Sequence, residues 1–214
     1  MASEGPNSPG TSGTDSGVGS VNWSNASNIL ASDDARADVI LNGGQISYYL
    51  KATNFGFALA SGVTISGITV EIEIAYGGFG GGYIVDNRAR IIKGGTIGAT
   101  DKSNVSTWPA SDTYRTYGST SELWGETWSY SDINDSTFGF ALSVICPSGS
   151  VAQAVVDHVR ITVEYTSGVS GGAASHYYRQ QQRHRQPSII VPQLITDLEP
   201  YRERLNRIEN KLAI

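Results

Sequence analysis

The chain has a single cysteine, Cys146, among its 214 residues. An intramolecular disulfide therefore cannot form, and a zinc site built on several thiolates is excluded as well. The protein needs no oxidising compartment, which is consistent with synthesis and assembly in a reducing cytoplasm.

Long apolar runs are also lacking. Residues 1–20 contain neither the basic start nor the apolar stretch of a secretory signal. Elsewhere no apolar run is long enough to cross a bilayer, so we expect no membrane partner.

Charged side chains are scarce, at 16% of the residues, and the formal net charge is −5. Nucleic-acid binding needs a clustered excess of cations, so this balance predicts no nucleic-acid partner. The local exception is a basic segment that contains Arg179, Arg183, His184 and Arg185. Three arginines form a weak electrostatic footprint, and contact with an acidic protein or simple solvation explains them better.

What the chain has instead is glycine, tyrosine and a period-two apolar pattern, with 25 glycines and 11 tyrosines. Alternation of this kind predicts half-buried strands, and Gly-, Asp- and Ser-rich turns separate them. The fold class we predict is all-β, an antiparallel β-sandwich or jelly-roll-like domain. The apolar positions of three such strands are Ile46, Tyr48, Leu50 and Ala52; Ile68, Val70, Ile72 and Ile74; and Val159, Ile161, Val163 and Tyr165.

Composition divides the chain into four regions. Residues 1–20 are rich in Gly and Ser with little to bury, which predicts a flexible, disordered arm. Residues 21–166 form the sandwich, residues 167–193 a linker and the basic segment, and residues 194–214 a short C-terminal α-helix.

The last region has the apolar spacing of a coiled coil. Leucines and other apolar residues recur at intervals of four and three, and an Arg-to-Glu pair is placed to bridge neighbouring chains. This pattern favours a parallel homotrimer over a dimer, although a single helix packed on its own domain is the alternative. The residues predicted to hold the trimer are Leu198, Tyr201, Arg204, Leu205, Ile208, Glu209 and Leu212.

Three tryptophans, Trp108, Trp124 and Trp128, lie in the long segment from residue 97 to residue 136. Each ring carries a large apolar area, so one interpretation is that the three plug an end of the sandwich. The other is an exposed aromatic platform that binds sugar rings. Exposed, coplanar rings would favour the platform.

Four segments resemble a recurring β-sandwich module in structural proteins of tailed bacteriophages, and related modules occur in bacterial surface proteins. The resemblance covers Val21 to Tyr165, and Ser119 and Glu122 depart mildly from the pattern. It implies a virion part and no catalytic residue. The segments are Asn22 to Asp34, Asn54 to Glu73, Tyr117 to Leu142 and Val156 to Tyr165.

Motifs of catalysis and metal binding are weak. His158 follows Asp157, but there is no G-x-S-x-G elbow for a Ser-His-Asp triad. Glu71 and Glu73 lie on one strand face, where they would keep it solvated or pair with arginines such as Arg88 or Arg90. The acidic pairs at 33–34 and 132–135 lack the spacing of a complete calcium loop. We therefore expect no enzymatic activity, no metal site and no cofactor.

The function predicted is that of a capsid decoration, or cement, protein of a phage. Such a protein would bind the major capsid protein lattice as a homotrimer and stabilise the head, with its location at the capsid surface of the virion. A trimeric tail-fibre, neck or receptor-binding component is the alternative, and a carbohydrate-binding surface module is a second one.

Overall fold

The computed structural model describes residues 1–77, 80–147 and 149–168, and strands dominate this part of the chain. They alternate with glycine-rich turns, as the period-two pattern predicts. The strands are β1 Ala2–Asn7, β2 Thr11–Asp15, β3 Ala37–Leu41, β4 Tyr49–Thr53, β5 Thr64–Gly77, β6 Val85–Lys93, β7 Thr96–Ile97, β8 Thr113–Ser119, β9 Gly139–Ile145 and β10 Ala152–Thr166.

The strands pair into two antiparallel sheets, so the predicted β-sandwich is confirmed. Sheet A has the order β1-β10-β5-β8, and β3 pairs with β10 beside β1. Sheet B has the order β2-β4-β9-β6-β7. Their inner faces share one apolar core.

The longest pairing, β5 with β10, shows how the sequence sets the register. Ile68, Val70, Ile72 and Ile74 of β5 are completely buried. The residues between them, which include Glu71, point outward. Slipping this strand by one residue would bury its charged side chains, and this fixes the pairing.

Aromatic rings fill the middle of the core. Phe140 of β9 lies between Tyr117 and Trp124, with ring centroids 5.6 and 5.9 Å away. A second group joins Phe55, Phe57 and Phe138 at centroid distances of 5.9 to 6.4 Å. Stacked, tilted and edge-to-face contacts of this kind add to the free energy that ring burial itself contributes.

A short helix, α1 Tyr130–Asn134, interrupts the all-β pattern, and a 3-10 helix covers Ala26–Ile29. Ser129 caps α1: its side chain accepts from the backbone N of Asp132, whose carboxylate accepts from the backbone N of Ser129. This capping box is visible in the sequence as a Ser followed by an Asp three residues later.

The prediction of a flexible N-terminal arm is wrong. Residues 2–7 form β1 on the edge of sheet A, and residues 11–15 form β2 on the edge of sheet B. The composition argument considered only side chains, whereas this segment is ordered by backbone hydrogen bonds to two open strand edges. The chain thus crosses from one sheet to the other and closes that side of the sandwich.

The predicted linker, basic segment and C-terminal helix lie outside the described residues, apart from the first positions after β10. In the described part of the chain, no helix is long and apolar enough to cross a membrane.

Candidate functional site

The tryptophans of the long segment face the core rather than the solvent. Trp108 is 1% exposed and Trp124 is not exposed at all. Each indole N–H has a partner inside the protein: Trp108 donates to Asp86 Oδ1 at 2.7 Å and Trp124 donates to the carbonyl of Ile68 at 3.0 Å. Neither ring offers a face to a sugar.

Trp128 is half-buried. Its ring meets Phe138 edge to face at a centroid distance of 5.4 Å, and the Lys93 ammonium lies 5.3 Å from its centroid. Its N–H donates to the carbonyl of Leu123 at 2.9 Å. The three tryptophans therefore plug the sandwich, as the first interpretation predicted, and do not form a platform.

Asp86 is the polar centre of this plug. Besides Trp108, its carboxylate accepts from the Tyr117 hydroxyl at 2.9 Å, the Arg115 guanidinium at 3.2 Å and the backbone N of Asn104 at 2.8 Å. The Asp86 side chain is fully buried. Burial, followed by the carboxylate of Asp86, raises the pKa of Tyr117 well above its usual value, which keeps its hydroxyl a donor.

Asp86 belongs to β6 in sheet B, and Arg115 and Tyr117 belong to β8 in sheet A. The chain between residues 98 and 112 lies along β6 through the hydrogen bonds Lys102 N to Ala89 O and Trp108 N to Ile84 O, both 2.9 Å. The aspartate thus joins the two sheets on the side opposite to β1 and β2. Both lateral openings of the sandwich are closed by the chain itself.

The outer face of sheet A has a second polar network. Arg160 of β10 binds Glu71 of β5 through two hydrogen bonds of 2.9 and 3.1 Å. The same guanidinium lies 4.0 Å from the ring centroid of Tyr114 on β8. Glu71 therefore pairs with Arg160, whereas Arg88 pairs with Asp101 at 3.3 Å. The outward position of Glu71 was predicted correctly, but the partners suggested for it from the sequence were not.

His158 is the focus of this network and is 6% exposed. Its Nε2 lies 2.9 Å from the hydroxyl of Ser8 and its Nδ1 lies 2.9 Å from the hydroxyl of Tyr114. A Ser-His pair therefore exists, but its third member is a phenol and not a carboxylate. Asp157 does not take that place, because the two hydroxyls already occupy both ring nitrogens of His158. This arrangement fastens the N-terminal segment, which contains Ser8, to sheet A.

Burial lowers the pKa of His158, and the nearby Arg160 acts in the same direction, while the Glu73 carboxylate opposes them. The folded protein thus keeps the ring neutral, and the unfolded chain takes up a proton near pH 6.5. We expect the stability contributed by His158 to be complete above about pH 6.5 and to fall as the pH drops below it. Urea unfolding between pH 7.5 and 5.5 measures this dependence.

His158→Gln is the matched control, since glutamine can hydrogen-bond but does not titrate. Burial raises the pKa of Asp157, so that group acts in the opposite direction and stabilises the fold as the pH falls. The difference between the two pH profiles therefore isolates the histidine. Identical profiles for the wild type and His158→Gln would contradict the proposed role.

Aspartates lie close to Arg36, in and around the segment that precedes β3. Arg36 binds Asp34 at 3.2 Å and also contacts Asp112. Asp33 accepts from the backbone N of Ala35 at 3.0 Å. Within residues 1–77, 80–147 and 149–168, no three His, Cys, Asp or Glu side chains converge in a geometry that could hold a metal ion.

The seven residues predicted to form the trimer lie beyond the described residues. The sandwich does show where the chain leaves it: Tyr165 of β10 pairs with Ala2 of β1. The N-terminus and the exit towards the C-terminal region are therefore neighbours at one edge of sheet A.

Several important residues were missed at the level of sequence. Ser8 and His158 are 150 positions apart, and Asp86 reaches Tyr117 across 31 positions. No short sequence motif marks either of these contacts. An aspartate beside the apolar pair Ile84 and Val85 is the one available indication that Asp86 is buried.

Comparison with protein-family models gives no match for the chain, and comparison with curated proteins gives none either. Among solved structures, the chain is similar to one titled "CBM4 structure and function". The two are 15% identical, the alignment covers 63% of this chain and 87% of that chain, and the TM-score is 0.37. A likeness at this level assigns no family to the chain.

Proposed function

We propose that this chain is a non-enzymatic structural protein of a bacteriophage particle, a decoration protein that binds the major capsid protein lattice as a homotrimer. The observation that supports this most directly is that the four segments resembling the phage module supply residues of the core. They supply Trp23, Phe55, Trp124, Phe140 and Ile161, all buried in the one core. The resemblance thus lies in the residues that build the sandwich.

The polar groups of the domain favour a structural role. Asp86 binds the two sheets together, Arg160 holds Glu71 on the outer face, and His158 fastens the N-terminal segment. Side chains that resemble catalytic groups in the sequence therefore have stabilising contacts in the fold. A protein that reinforces a particle needs such a rigid domain and an outer surface for its partner.

Trimer formation is proposed to depend on the C-terminal heptads. Three copies of the 22.8 kDa chain give about 68 kDa, which sedimentation equilibrium of the full chain should detect at micromolar concentration. Leu205→Asp combined with Ile208→Asp places charge at seam positions and should give the monomer mass. Asn210→Asp, at an outward heptad position, is the control and should remain trimeric. A monomeric wild type would rule out the trimer.

Attachment to the head is tested with heads that lack the protein. Purified wild-type protein should add to expanded heads in hundreds of copies, as a lattice-binding protein must. A tail-fibre, neck or receptor-binding component would instead be found in tens of copies or fewer, at the tail. Failure to bind heads, together with recovery in tails, would replace the proposal by that alternative.

A carbohydrate-binding surface module is the second candidate, and a groove across sheet B favours it. Thr11, Thr53, Thr137 and Lys51 are among the residues that line this groove. Sugars are recognised by such polar groups set around apolar surface. Under this candidate, Lys51→Ala and Thr53→Val would abolish binding on a glycan array.

A further inference from the structure

A β-bulge in β10 sets Asp157 apart from the regular strand pairing. Val156 pairs with Ile74 and His158 pairs with Glu73, so Asp157 has no partner residue on β5. Bulges re-aim side chains and are common beside functional sites. Asp157 is 2% exposed, and its Oδ1 has no hydrogen-bond partner within the described part of the chain. A buried carboxylate oxygen without a partner is costly, so its placement requires an explanation.

A loop of residues 31–36, which we call the acidic loop, lies against this bulge. The Ser32 hydroxyl donates to Glu73 at 2.8 Å, and the backbone N–H of Asp34 hydrogen-bonds to the carboxylate of Asp157. Alanine is the only apolar residue type in the loop, so polar contacts rather than a packed core hold it in place. Segments with few apolar contacts open at a low cost in free energy.

The electrostatic surroundings of Asp157 favour its protonated form. Burial raises the pKa of Asp157, and the carboxylates of Glu73 and Asp33 act in the same direction. The N–H of Asp34 and the guanidinium of Arg36 oppose them. The net shift is upward, so the folded protein holds this proton more tightly than the unfolded chain does.

Neither a cation of the protein nor a metal ion is set to compensate an ionised Asp157. Arg36 also contacts Asp34 and Asp112, so its positive charge is shared among several carboxylates. His158 follows in β10, and its lowered pKa leaves the ring uncharged at neutral pH. Among the described residues, no three acidic, histidine or cysteine side chains converge as metal ligands. A proton is therefore the simplest partner for the buried oxygen.

We propose that the acidic loop is a pH-sensitive cover, which closes over Asp157 when this carboxyl group is protonated and opens when it is ionised. A protonated carboxyl group can donate a hydrogen bond to a neighbouring carboxylate such as that of Glu73. An ionised one repels Glu73 and Asp33 in a poorly hydrated site. Acid therefore stabilises the closed loop, and opening uncovers Asp157. The inference does not depend on the partner being a capsid protein.

Amide relaxation dispersion by NMR, which detects opening on the microsecond-to-millisecond timescale, tests this on the full chain. In the wild type, the exchange contribution at residues 31–36 should fall about threefold or more as the pH is lowered from 7.5 to 4.5. Asp157→Asn keeps the shape without the charge, so it should show the low value at both pH values. Asp15→Asn, on β2 of the other sheet, is the control and should follow the wild type.

A second variant and a metal ion separate the alternatives. Glu73→Gln removes one repelling charge but can still accept from Ser32, so it should lower the exchange contribution at pH 7.5. Millimolar calcium should leave the wild-type loop unchanged. Exchange in the wild type that is absent at pH 7.5 or equal at both pH values would overturn the proposal. So would quenching by calcium at pH 7.5, which would show that Asp157 takes a cation instead of a proton.

Discussion

Asp86→Ala should lower the free energy of unfolding by about 3–5 kcal/mol, as expected when one member of a buried ion pair is removed. The substitution leaves the Arg115 guanidinium, the Trp108 N–H and the Tyr117 hydroxyl without their common acceptor. These donors are buried or nearly so, and an unsatisfied buried donor costs the full penalty of desolvation. Urea unfolding followed by tryptophan fluorescence measures the loss.

Asp15→Ala is the control for this experiment. Asp15 is part of an ion pair with Lys51 at 3.7 Å, but its side chain is 39% exposed. Exposed pairs contribute between zero and about 1 kcal/mol, so this variant should stay near the wild type. Equal effects of the two substitutions would mean that Asp86 does not join the sheets as described.

Deletion of residues 1–15 should have the second largest effect, a loss of about 3 kcal/mol from the hydrogen bonds of two strands. β1 pairs with the last third of β10, and β2 pairs with the whole of β4. The deletion uncovers both partner strands as edges, which become prone to pairing with other chains. Amide hydrogen exchange should speed up in β4 and at residues 161–165, and the variant should tend to associate.

Deletion of residues 1–8 alone provides the matched comparison. It removes β1 but keeps β2, so β4 should stay protected while residues 161–165 exchange faster. Amide exchange rates equal to those of the wild type in both deletion variants would show that the N-terminal segment does not close the sandwich.

Strand alternation was the part of the fold that the sequence predicted well. The pattern of β5, with Ile68, Val70, Ile72 and Ile74 facing inward, depends only on neighbouring residues. The N-terminal segment escaped prediction because backbone hydrogen bonds order it. Such hydrogen bonds place few demands on the side chains, so they leave no pattern in the sequence. Composition therefore suggested disorder where the fold offers two open edges.

The polar contacts escaped prediction for a different reason. From the sequence, Trp108 could belong to a sugar-binding platform or to a buried plug. The structure decides between them, because it shows Trp108 buried and hydrogen-bonded to Asp86. His158 likewise acquires its role from Ser8 and Tyr114, which lie far away in the chain. Long-range pairs of this kind leave no periodic trace in a sequence.

Closure of both sides by the chain itself also changes which parts of the molecule are available to a partner. Because β1 and β2 belong to the sandwich, the N-terminal segment is not available as a clamp on neighbouring subunits. We therefore expect partner contacts to involve the outer faces of the sheets and the C-terminal heptad region.

Cryo-electron microscopy of purified particles tests most directly whether this sandwich decorates a phage head as a trimer, as we propose. The proposal predicts density for three copies of the sandwich grouped around three-fold positions on the outer capsid surface, repeated over the whole lattice. Density for the sandwich confined to the tail or neck, or missing from the particle altogether, would contradict it.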